Sequence, residues 1–288
     1  MRPNRLDDTF ARLAARGEKA LIAYLTAGDP NPGTSLALFQ ALAEGGADVL
    51  EIGLPFSDPL ADGPVNQQAA VRALQAGTSV DDVLALARSL RDSCDTPLAL
   101  LTYVNPVLRR GLRRFLDKAA EAGIDALVIP DLPAEEAESD FNGTSLAEEA
   151  KRAGVHLVPF AAPTTTDERL ARLNGAIGGF VYCVSLTGVT GVRHDLPPGL
   201  SDLVARVKAH TDLPVAVGFG ISTPEQAARV ASAADAVIVG SALVREVETA
   251  VQAGTLEQLP ATLRRMAAEL KEGIQQAIRA EQRIGIKG

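Results

Sequence analysis

Carboxyl residues in and beside one apolar segment are the first candidates for chemistry. Glu51 lies within residues 49–54, which are otherwise apolar, and Asp58 and Asp62 follow in a loop stiffened by Pro and Gly. Burial of a carboxyl group is costly unless its pKa rises or the group is paired. A raised pKa would suit Glu51 for proton transfer near neutral pH. The structural alternative is that Glu51 pairs with an interior Lys or Arg and the aspartates cap turns.

Three later segments have the composition of a phosphate-binding site. Residues 185–192, 218–222 and 240–244 each follow an apolar run and are rich in Gly, Ser or Thr. Glycine lets backbone N–H groups approach an anion, and a helix that begins at Ser241 would favour negative charge. Tight turns that need glycine for their own conformation are the alternative, but three such turns together favour a phosphate site.

The chain's three tyrosines fall near the ends of apolar runs. Together, Tyr24, Tyr103 and Tyr182 could line a pocket for a flat apolar group, with their hydroxyls in contact with water. Core packing is the alternative for each of them alone. Cys183 is expected to be a buried packing residue. Residues 188–199, rich in Gly and Pro, have the length and composition of a lid.

Eight short apolar runs alternate with longer helical stretches, which are the elements that must position these residues. The runs lack polar alternation, as expected for parallel strands buried on both faces. They are residues 20–26, 49–54, 98–103, 126–130, 156–160, 179–185, 215–219 and 236–239. Helices are predicted for residues 34–44, 81–91, 112–122, 224–233 and 260–280. The pattern predicts an α/β fold: a (β/α)8 TIM barrel with additional N-terminal and peripheral helices, formed as a single domain by residues 1–288. An open doubly wound sheet is the alternative.

A repeated turn supports this architecture. Asp48, Asp125 and Asp235 each follow a helical stretch and directly precede an apolar run. Their side chains can cap backbone N–H groups at short turns between a helix and a strand. Residues 135–151 depart from the pattern, because the sequence NGTS interrupts a helical stretch. We interpret them as a surface insertion within the helix after the fourth strand.

Composition restricts the partners and the location of the chain. Its 288 residues include 28 Lys and Arg against 36 Asp and Glu, a net charge of −8. This balance argues against nucleic-acid or membrane-surface binding. Two cysteines and three scattered histidines form no zinc pattern and predict no disulfide. With neither a signal-type N-terminus nor an apolar stretch of about 18 residues, the sequence predicts a cytoplasmic protein.

Several long motifs, in order and spacing, resemble the tryptophan synthase α chain family. The most specific is LEIGLPFSDPLADGPVNQ at residues 50–67, and it is followed by LTYVNP, VIPDLPAEE, APTTTDERL, SLTGVTG, VGFGIS and VIVGSALV. The resemblance covers essentially the whole chain. It implies a retro-aldol lyase of L-tryptophan biosynthesis that cleaves indole-3-glycerol phosphate to indole and D-glyceraldehyde 3-phosphate, without a metal or organic cofactor.

The resemblance also implies roles for individual residues. Glu51 matches the family's proton-transferring glutamate, and Asp62 matches the aspartate that holds the indole N–H. Tyr182 matches a tyrosine beside them, and Thr190 matches a lid residue that meets Asp62 on closure. The phosphate turns match at Gly191, Gly220, Gly240 and Ser241, and the indole pocket matches at Tyr24, Leu101, Tyr103, Val128, Phe219 and Ile221.

The implied partner is a tryptophan synthase β subunit, in an α2β2 heterotetramer. Val107 and Leu108 are apolar and expected in a loop at the barrel mouth, where they either contact that partner or fold back over the rim. Two positions depart from the family pattern. Asn66 stands where the family usually has an apolar residue near the indole, and Leu186 stands where some members have a basic residue.

Two rival functions remain. One is another phosphate-binding barrel of amino-acid biosynthesis, such as a sugar-phosphate isomerase or indoleglycerol phosphate synthase, but these lack the LPFSDPLADGP loop. The other is a catalytically weak interaction subunit whose main role is to activate a partner. The presence of both Glu51 and Asp62 argues against the second.

Overall fold

Parallel strands form the centre of the fold. The computed structural model describes residues 4–141, 143–174, 178–184, 199–218 and 220–285. Over these ranges it contains nine strands in one sheet, in the order β5-β4-β3-β2-β1-β9-β8-β7-β6. They are β1 (Ala20–Thr26), β2 (Val49–Gly53), β3 (Leu98–Leu101), β4 (Ala126–Val128), β5 (His156–Val158), β6 (Phe160–Ala161), β7 (Val181–Cys183), β8 (Val215–Gly218) and β9 (Ala236–Val239).

The two ends of this strand order are consecutive in the chain. β5 pairs with β4, β6 pairs with β7, and only Pro159 separates the two segments. Proline has no backbone N–H to donate to a sheet, so the regular hydrogen-bonding pattern is interrupted there. The carbonyl of Pro159 still accepts from the N–H of Tyr182 at 2.8 Å. The structure therefore confirms the predicted eight-stranded barrel, with its fifth strand divided in two.

One helix precedes the first strand, and helices follow nearly every strand. The helices of the described residues are α1 (Arg5–Ala15), α2 (Pro32–Glu44), α3 (Pro64–Gln75), α4 (Val80–Ser93), α5 (Val104–Arg110), α6 (Leu112–Glu121), α7 (Leu146–Ala153), α8 (Asp167–Leu170), α9 (Leu200–Lys208), α10 (Pro224–Ala233), α11 (Ser241–Ala253) and α12 (Leu259–Gly285). Proline stands in the first turn of α2, α3 and α10, where its missing N–H has no intrahelical partner. Within the described ranges, none of these helices is long and apolar enough to cross a membrane.

The predicted aspartate turns are confirmed at the amino-terminal end of the barrel. Side chains of Asp48, Asp125 and Asp235 accept hydrogen bonds from the N–H groups of Leu21, Leu98 and Val215, at 2.7, 2.9 and 3.0 Å respectively. Each aspartate therefore links the start of its own strand to the start of the preceding strand in the sheet. Each also pairs with Lys or Arg, so this end of the barrel is held by charged hydrogen bonds.

The prediction of an insertion inside a helix was wrong. After β4 the chain forms a 3-10 turn at Glu136–Glu138, and α7 begins only after Ser145. The Ser145 side chain accepts from the N–H of Glu148 at 3.1 Å, and Glu148 accepts from the N–H of Ser145 at 3.0 Å, which is a capping box. Asn142 lies outside the described residues. The NGTS sequence thus precedes a helix and includes its cap.

Val107 and Leu108 also differ from the prediction, since they belong to α5 and not to an exposed loop. Val107 is fully buried, and Leu108 is half-buried against the core. Of the two alternatives for these side chains, folding back onto the barrel rim is the correct one for Val107. Neither residue offers a large exposed apolar surface to a partner.

Candidate active site

The inner face of the barrel brings Glu51 together with two tyrosines. Glu51 on β2 is in register with Tyr24 on β1, and its side chain is fully buried. Tyr182 on β7 also points inward, because a Cβ placed on Gly218 of the next strand would lie 2.9 Å from its hydroxyl. The negative charge of Glu51 adds to burial in raising the pKa of both tyrosines. One carboxyl and two phenol groups therefore share the barrel interior.

Glu51 has no ion-pair partner in the part of the chain that the structure describes. Neither of its carboxyl oxygens has a hydrogen-bond partner among the described residues, although both atoms are buried. Burial raises the pKa of Glu51 to about 8, and the negative charge of Asp62 adds to the increase. The structural alternative of an interior Lys or Arg is therefore wrong within the described part of the chain. At neutral pH this group holds a proton that it can give up.

Asp62 is held at the mouth of the barrel by the loop between β2 and α3. The Tyr103 hydroxyl donates to Asp62 Oδ2 at 2.8 Å and accepts from the N–H of Ala61 at 3.1 Å. The amide of Asn66 donates to Asp62 Oδ1 at 3.4 Å. Burial raises the pKa of Asp62, whereas these two side-chain hydrogen bonds lower it. The hydrogen bonds thus favour the anionic carboxylate in a site that would otherwise favour its neutral form.

Aromatic contacts fix the tyrosines in place. The ring of Tyr182 stacks on Phe160 with centroids 4.9 Å apart, and Tyr103 stacks on Phe56 at 5.3 Å. Tyr24 is buried, and its hydroxyl lies 3.2 Å from the Thr26 hydroxyl. The expected contact of the hydroxyls with water is therefore wrong for Tyr24 and Tyr103, both of which have protein partners. Their convergence on the barrel interior and mouth agrees with the prediction.

An apolar wall lies one layer above Glu51. Leu101 on β3 is in register with Val128 on β4 and with Gly53 on β2, two residues beyond Glu51 on the same face. Leu101 and Val128 are buried, and so is Ile221 beyond the end of β8. Gly53 has to lack a side chain, because a Cβ there would overlap the Tyr24 ring. These positions leave an apolar space above the carboxyl group.

Two of the predicted phosphate turns lie side by side, after the paired strands β8 and β9. Gly220 has φ +58°, a left-handed conformation that favours glycine. Gly240 is the N-cap of α11 and offers no side chain to its first N–H groups. A Cβ on Gly240 would lie 3.2 Å from the Tyr24 ring. Ser241 begins α11. The third turn lies outside the described residues, and so do the candidates Thr190, Gly191 and Phe219 and the departure Leu186.

The amino-terminal end of the barrel contains a cavity, but its charged side chains are already paired with one another. A cavity of about 410 Å³ there is lined by Lys19, Lys208 and Asp235 together with side chains of α1. Both lysines are already paired with Asp235, at 2.9 and 3.0 Å. In barrels of this kind catalytic groups come from the carboxyl ends of strands, and the other end serves stability. We therefore place the candidate site at the mouth and not in this cavity.

Sequence reasoning named the two carboxyl groups but missed several residues that hold the site. Asn66 was noted only as a departure, although its spacing of four from Asp62 could have indicated contact across one helical turn. Phe160 ends the fifth predicted strand, and its inward alternation could have placed it near Tyr182. The Thr26 contact with Tyr24 follows from alternation along β1. No cluster of His, Cys, Asp or Glu suited to a metal ion occurs within the described ranges.

The site defines an acid–base enzyme built on a parallel barrel. It combines a buried carboxyl group whose pKa is raised to about 8, a second carboxyl group held by hydrogen bonds, and glycine turns at the ends of the last two strands. Such a set can move a proton inside an apolar pocket and stabilise positive charge at its mouth.

Comparison with known proteins identifies the family. The family model for the tryptophan synthase alpha chain matches residues 10–275. The tryptophan synthase alpha chain of Carboxydothermus hydrogenoformans is 50% identical over 249 residues, which are 86% of this chain and 91% of that protein. The solved structure of tryptophan synthase subunit alpha from Legionella pneumophila is 39% identical, has a TM-score of 0.85, and matches 96% of this chain and 100% of that one. A chain of Mycobacterium tuberculosis tryptophan synthase is 38% identical with a TM-score of 0.82, over 95% of this chain and 99% of that one.

The chain belongs to the tryptophan synthase alpha chain family. It is therefore a carbon–carbon lyase of tryptophan biosynthesis that cleaves indole-3-glycerol phosphate.

Proposed function

We propose that Glu51 carries the proton transfers of this cleavage. The single observation behind the proposal is its buried carboxyl group, which has no hydrogen-bond partner among the described residues and a pKa raised to about 8 by burial. A group with a pKa near the working pH can both donate and accept a proton, which is the requirement for general acid–base catalysis. Aspartate or glutamate residues with ordinary pKa values would be almost fully ionised and poor acids at pH 7.

The reaction is a retro-aldol cleavage that needs two proton movements. A proton is added to indole C3, which places a positive charge on the ring nitrogen. The hydroxyl on the adjacent side-chain carbon then loses its proton, and that carbon becomes the aldehyde of glyceraldehyde 3-phosphate. The electron pair of the broken carbon–carbon bond returns to the ring and leaves neutral indole. We assign both proton movements to Glu51, since one carboxyl group can give a proton at one step and take one at the other.

Asp62 supplies the countercharge in this proposal. Its carboxylate accepts hydrogen bonds from Tyr103 and Asn66 but still has free lone pairs for the ring N–H. A fixed negative charge beside the ring nitrogen favours the protonated intermediate over neutral substrate. In a pocket shielded from water such preorganised charge contributes on the order of several kcal/mol to catalysis.

The remaining candidates bind the two ends of the substrate. Leu101, Val128 and Ile221 line the apolar space, and Tyr24, Tyr103 and Tyr182 border it, so we assign these residues to the indole pocket together with Phe219. Gly220, Gly240 and Ser241 are assigned to the phosphate, with Gly191 and Thr190 from the segment outside the described residues. Binding of the phosphate orients the reacting carbon atoms. The proposed chemistry uses neither a metal nor an organic cofactor.

The proposed partner is a tryptophan synthase β subunit, in an α2β2 assembly located in the cytoplasm. One observation supports the partner, and another supports the barrel mouth as the place of association. The chain resembles one found in the tryptophan synthase of M. tuberculosis. Leu60, in the loop between Glu51 and Asp62, is 90% exposed at the barrel mouth, where an apolar side chain is available for packing against a partner.

An indole-release assay with indole-3-glycerol phosphate tests the proposal. The wild-type chain should release indole, and addition of a cognate β subunit should raise the rate. Asp62→Asn should be severely impaired, because the amide can accept the N–H hydrogen bond but cannot offset a positive charge. Ser57→Ala, in the same loop but exposed, is the matched control. A wild-type rate for Asp62→Asn would refute the countercharge role.

A further inference from the structure

One arginine outside the reacting pocket connects the segments that carry it. Arg72 on α3 donates from Nε to Asp29 Oδ1 and from Nη2 to Asp29 Oδ2, both at 2.8 Å. Its third nitrogen, Nη1, lies 3.9 Å from Glu248 Oε1 on α11. The Asp29 side chain is only 2% exposed, while Arg72 and Glu248 are 20% and 34% exposed. The arginine thus joins two carboxylates that belong to different parts of the barrel.

Each of the three residues stands on a segment that reaches the candidate site. Asp29 follows β1, the strand of Tyr24, and its N–H donates to the carbonyl of Thr26 at 3.3 Å. Glu248 lies on the helix whose first residue, Ser241, belongs to the proposed phosphate turn. Arg72 lies two turns into α3, and the first turn of that helix carries Asn66, which donates to Asp62.

The chemistry of this contact suits a rigid connection. A guanidinium group is planar and binds a carboxylate through two parallel hydrogen bonds, which fixes orientation as well as distance. Burial raises the pKa of Asp29, and the Arg72 hydrogen bonds and charge oppose this effect. Breaking such a pair by removing one partner leaves a buried charge without compensation, so the arrangement resists displacement. By contrast, the similar pair of Arg110 with Asp81 involves an aspartate whose side chain is 60% exposed, so solvent screens it far more than it screens Asp29.

We propose that Arg72 is a positioning residue that couples the phosphate turn of α11 to the placement of Asp62 on the loop before α3. The proposal rests on the proposed function of Asp62 and of the α11 turn. When phosphate binds at the start of α11, the contacts of Arg72 with Glu248 and Asp29 fix the positions of α3 and of the end of β1 relative to α11. Loss of Arg72 should then disturb both phosphate binding and the chemical step, although Arg72 touches neither.

Three variants test this coupling, each assayed for indole release and for binding of glycerol 3-phosphate as the phosphate probe. Arg72→Lys keeps the charge but cannot make the double hydrogen bond. It should lower kcat by about tenfold or more, because misplacement of a reacting group by about 1 Å can reduce rates on the order of 100-fold. Asp29→Asn should act in the same direction. Glu248→Gln weakens only the link to α11, so it should weaken probe binding by about twofold to fivefold and lower kcat by less than Arg72→Lys does.

Lys271→Met is the matched control. It breaks a partly buried ion pair with Asp48 at 2.6 Å, at the amino-terminal end of the barrel, and so should lower the melting temperature without changing kcat or probe affinity. The inference is overturned if folded Arg72→Lys protein keeps the wild-type kcat and probe affinity. If Arg72→Lys does not fold, unchanged probe affinity in Glu248→Gln overturns it. A wild-type chain that neither releases indole nor binds the probe would instead refute the proposed function.

Discussion

Glu51 is a carboxyl group placed where its charged form is unfavourable. The barrel interior removes water from it, and no described side chain donates a hydrogen bond to it. Its raised pKa is therefore a property of the fold, and it lowers stability at every pH above the ordinary glutamate pKa, with the full cost present above the raised pKa. Function and stability oppose each other at this residue, as is common at active sites.

Glu51→Gln should separate these two effects. The variant should lose nearly all lyase activity, because general acid–base catalysis typically supplies about 10²–10⁴-fold. The Glu51 pKa of about 8 in the folded protein exceeds the ordinary glutamate pKa of 4.5, which applies to the unfolded chain. The free energy of unfolding of the wild type should therefore fall as the pH rises between these two values. In Glu51→Gln the side chain does not ionise, so this decrease should disappear. Urea unfolding at pH 5 and pH 9 checks this. Glu51→Gln should be the more stable protein at pH 9, and the same pH dependence in both proteins would contradict a raised Glu51 pKa.

Asn66→Leu should shift the acidic side of the pH–rate profile. The Asn66 amide is one of two side-chain donors that lower the pKa of Asp62 against the effect of burial. Without it the Asp62 pKa should rise, so activity that depends on the ionised carboxylate should be lost at a higher pH as the pH falls. The control is Gln67→Ala, whose side chain donates to the Asp62 backbone carbonyl and not to the carboxylate. Superimposable profiles for Asn66→Leu and wild type would remove Asn66 from this role.

At the scale of elements, the sequence predicted the strands and the aspartate turns best, because each has a simple residue pattern. The eight apolar runs predicted the strands, and β1 and β9 have the predicted ends. The aspartate turns were predictable because Asp before a strand has few alternatives to capping. The cap at Ser145 was missed, because polar residues there fit both an interrupted helix and a helix start. The division of the fifth strand was missed because the predicted strand was continued through Pro159, although proline cannot donate to a sheet.

The glycine turn before α11 should be sensitive to side-chain size. Gly240→Val should weaken glycerol 3-phosphate binding by at least about tenfold, because added atoms would block the N–H groups and press on the Tyr24 ring, which lies 3.2 Å from a Cβ at this position. Gly33→Ala is the matched control, since its Cβ would meet only Asn31 Oδ1 at an ordinary 3.4 Å. Equal affinities for Gly240→Val and wild type would move the anion site elsewhere.

At the scale of the whole molecule, the long last helix fastens the outer ring to the barrel. α12 packs on α10 and α2, and glycines permit both contacts, since a Cβ on Gly45 or Gly273 would overlap the facing backbone. Lys271 on the same helix donates to the carbonyl of Lys19 at 2.9 Å and to Asp48 at 2.6 Å. The sequence predicted a helix over residues 260–280 of this segment. It could not predict the contacts among Arg72, Asp29 and Glu248, because these pairs are set by how separate helices come together.

The expected surface for association with a β subunit has to be revised. The prediction relied on Val107 and Leu108, but these side chains pack against the barrel. Leu60 is the exposed apolar residue at the mouth, and it lies in the loop that also places Asp62. A partner that covers Leu60 would therefore order the loop, so binding and activation should be coupled.

Leu60→Asp should weaken association with a cognate β subunit by at least about tenfold, because a charge would enter an apolar contact. It should also reduce the activation of indole release by that subunit. Leu74→Asp is the matched control. Leu74 is also an exposed apolar residue, with 38% of its surface accessible, but it lies near the end of α3. Ten residues of helix place it about 15 Å from the first turn. Co-elution and the β-dependent rate are measured for both variants. Full association and activation in Leu60→Asp, or equal loss in both variants, would exclude the loop at the barrel mouth as the interface.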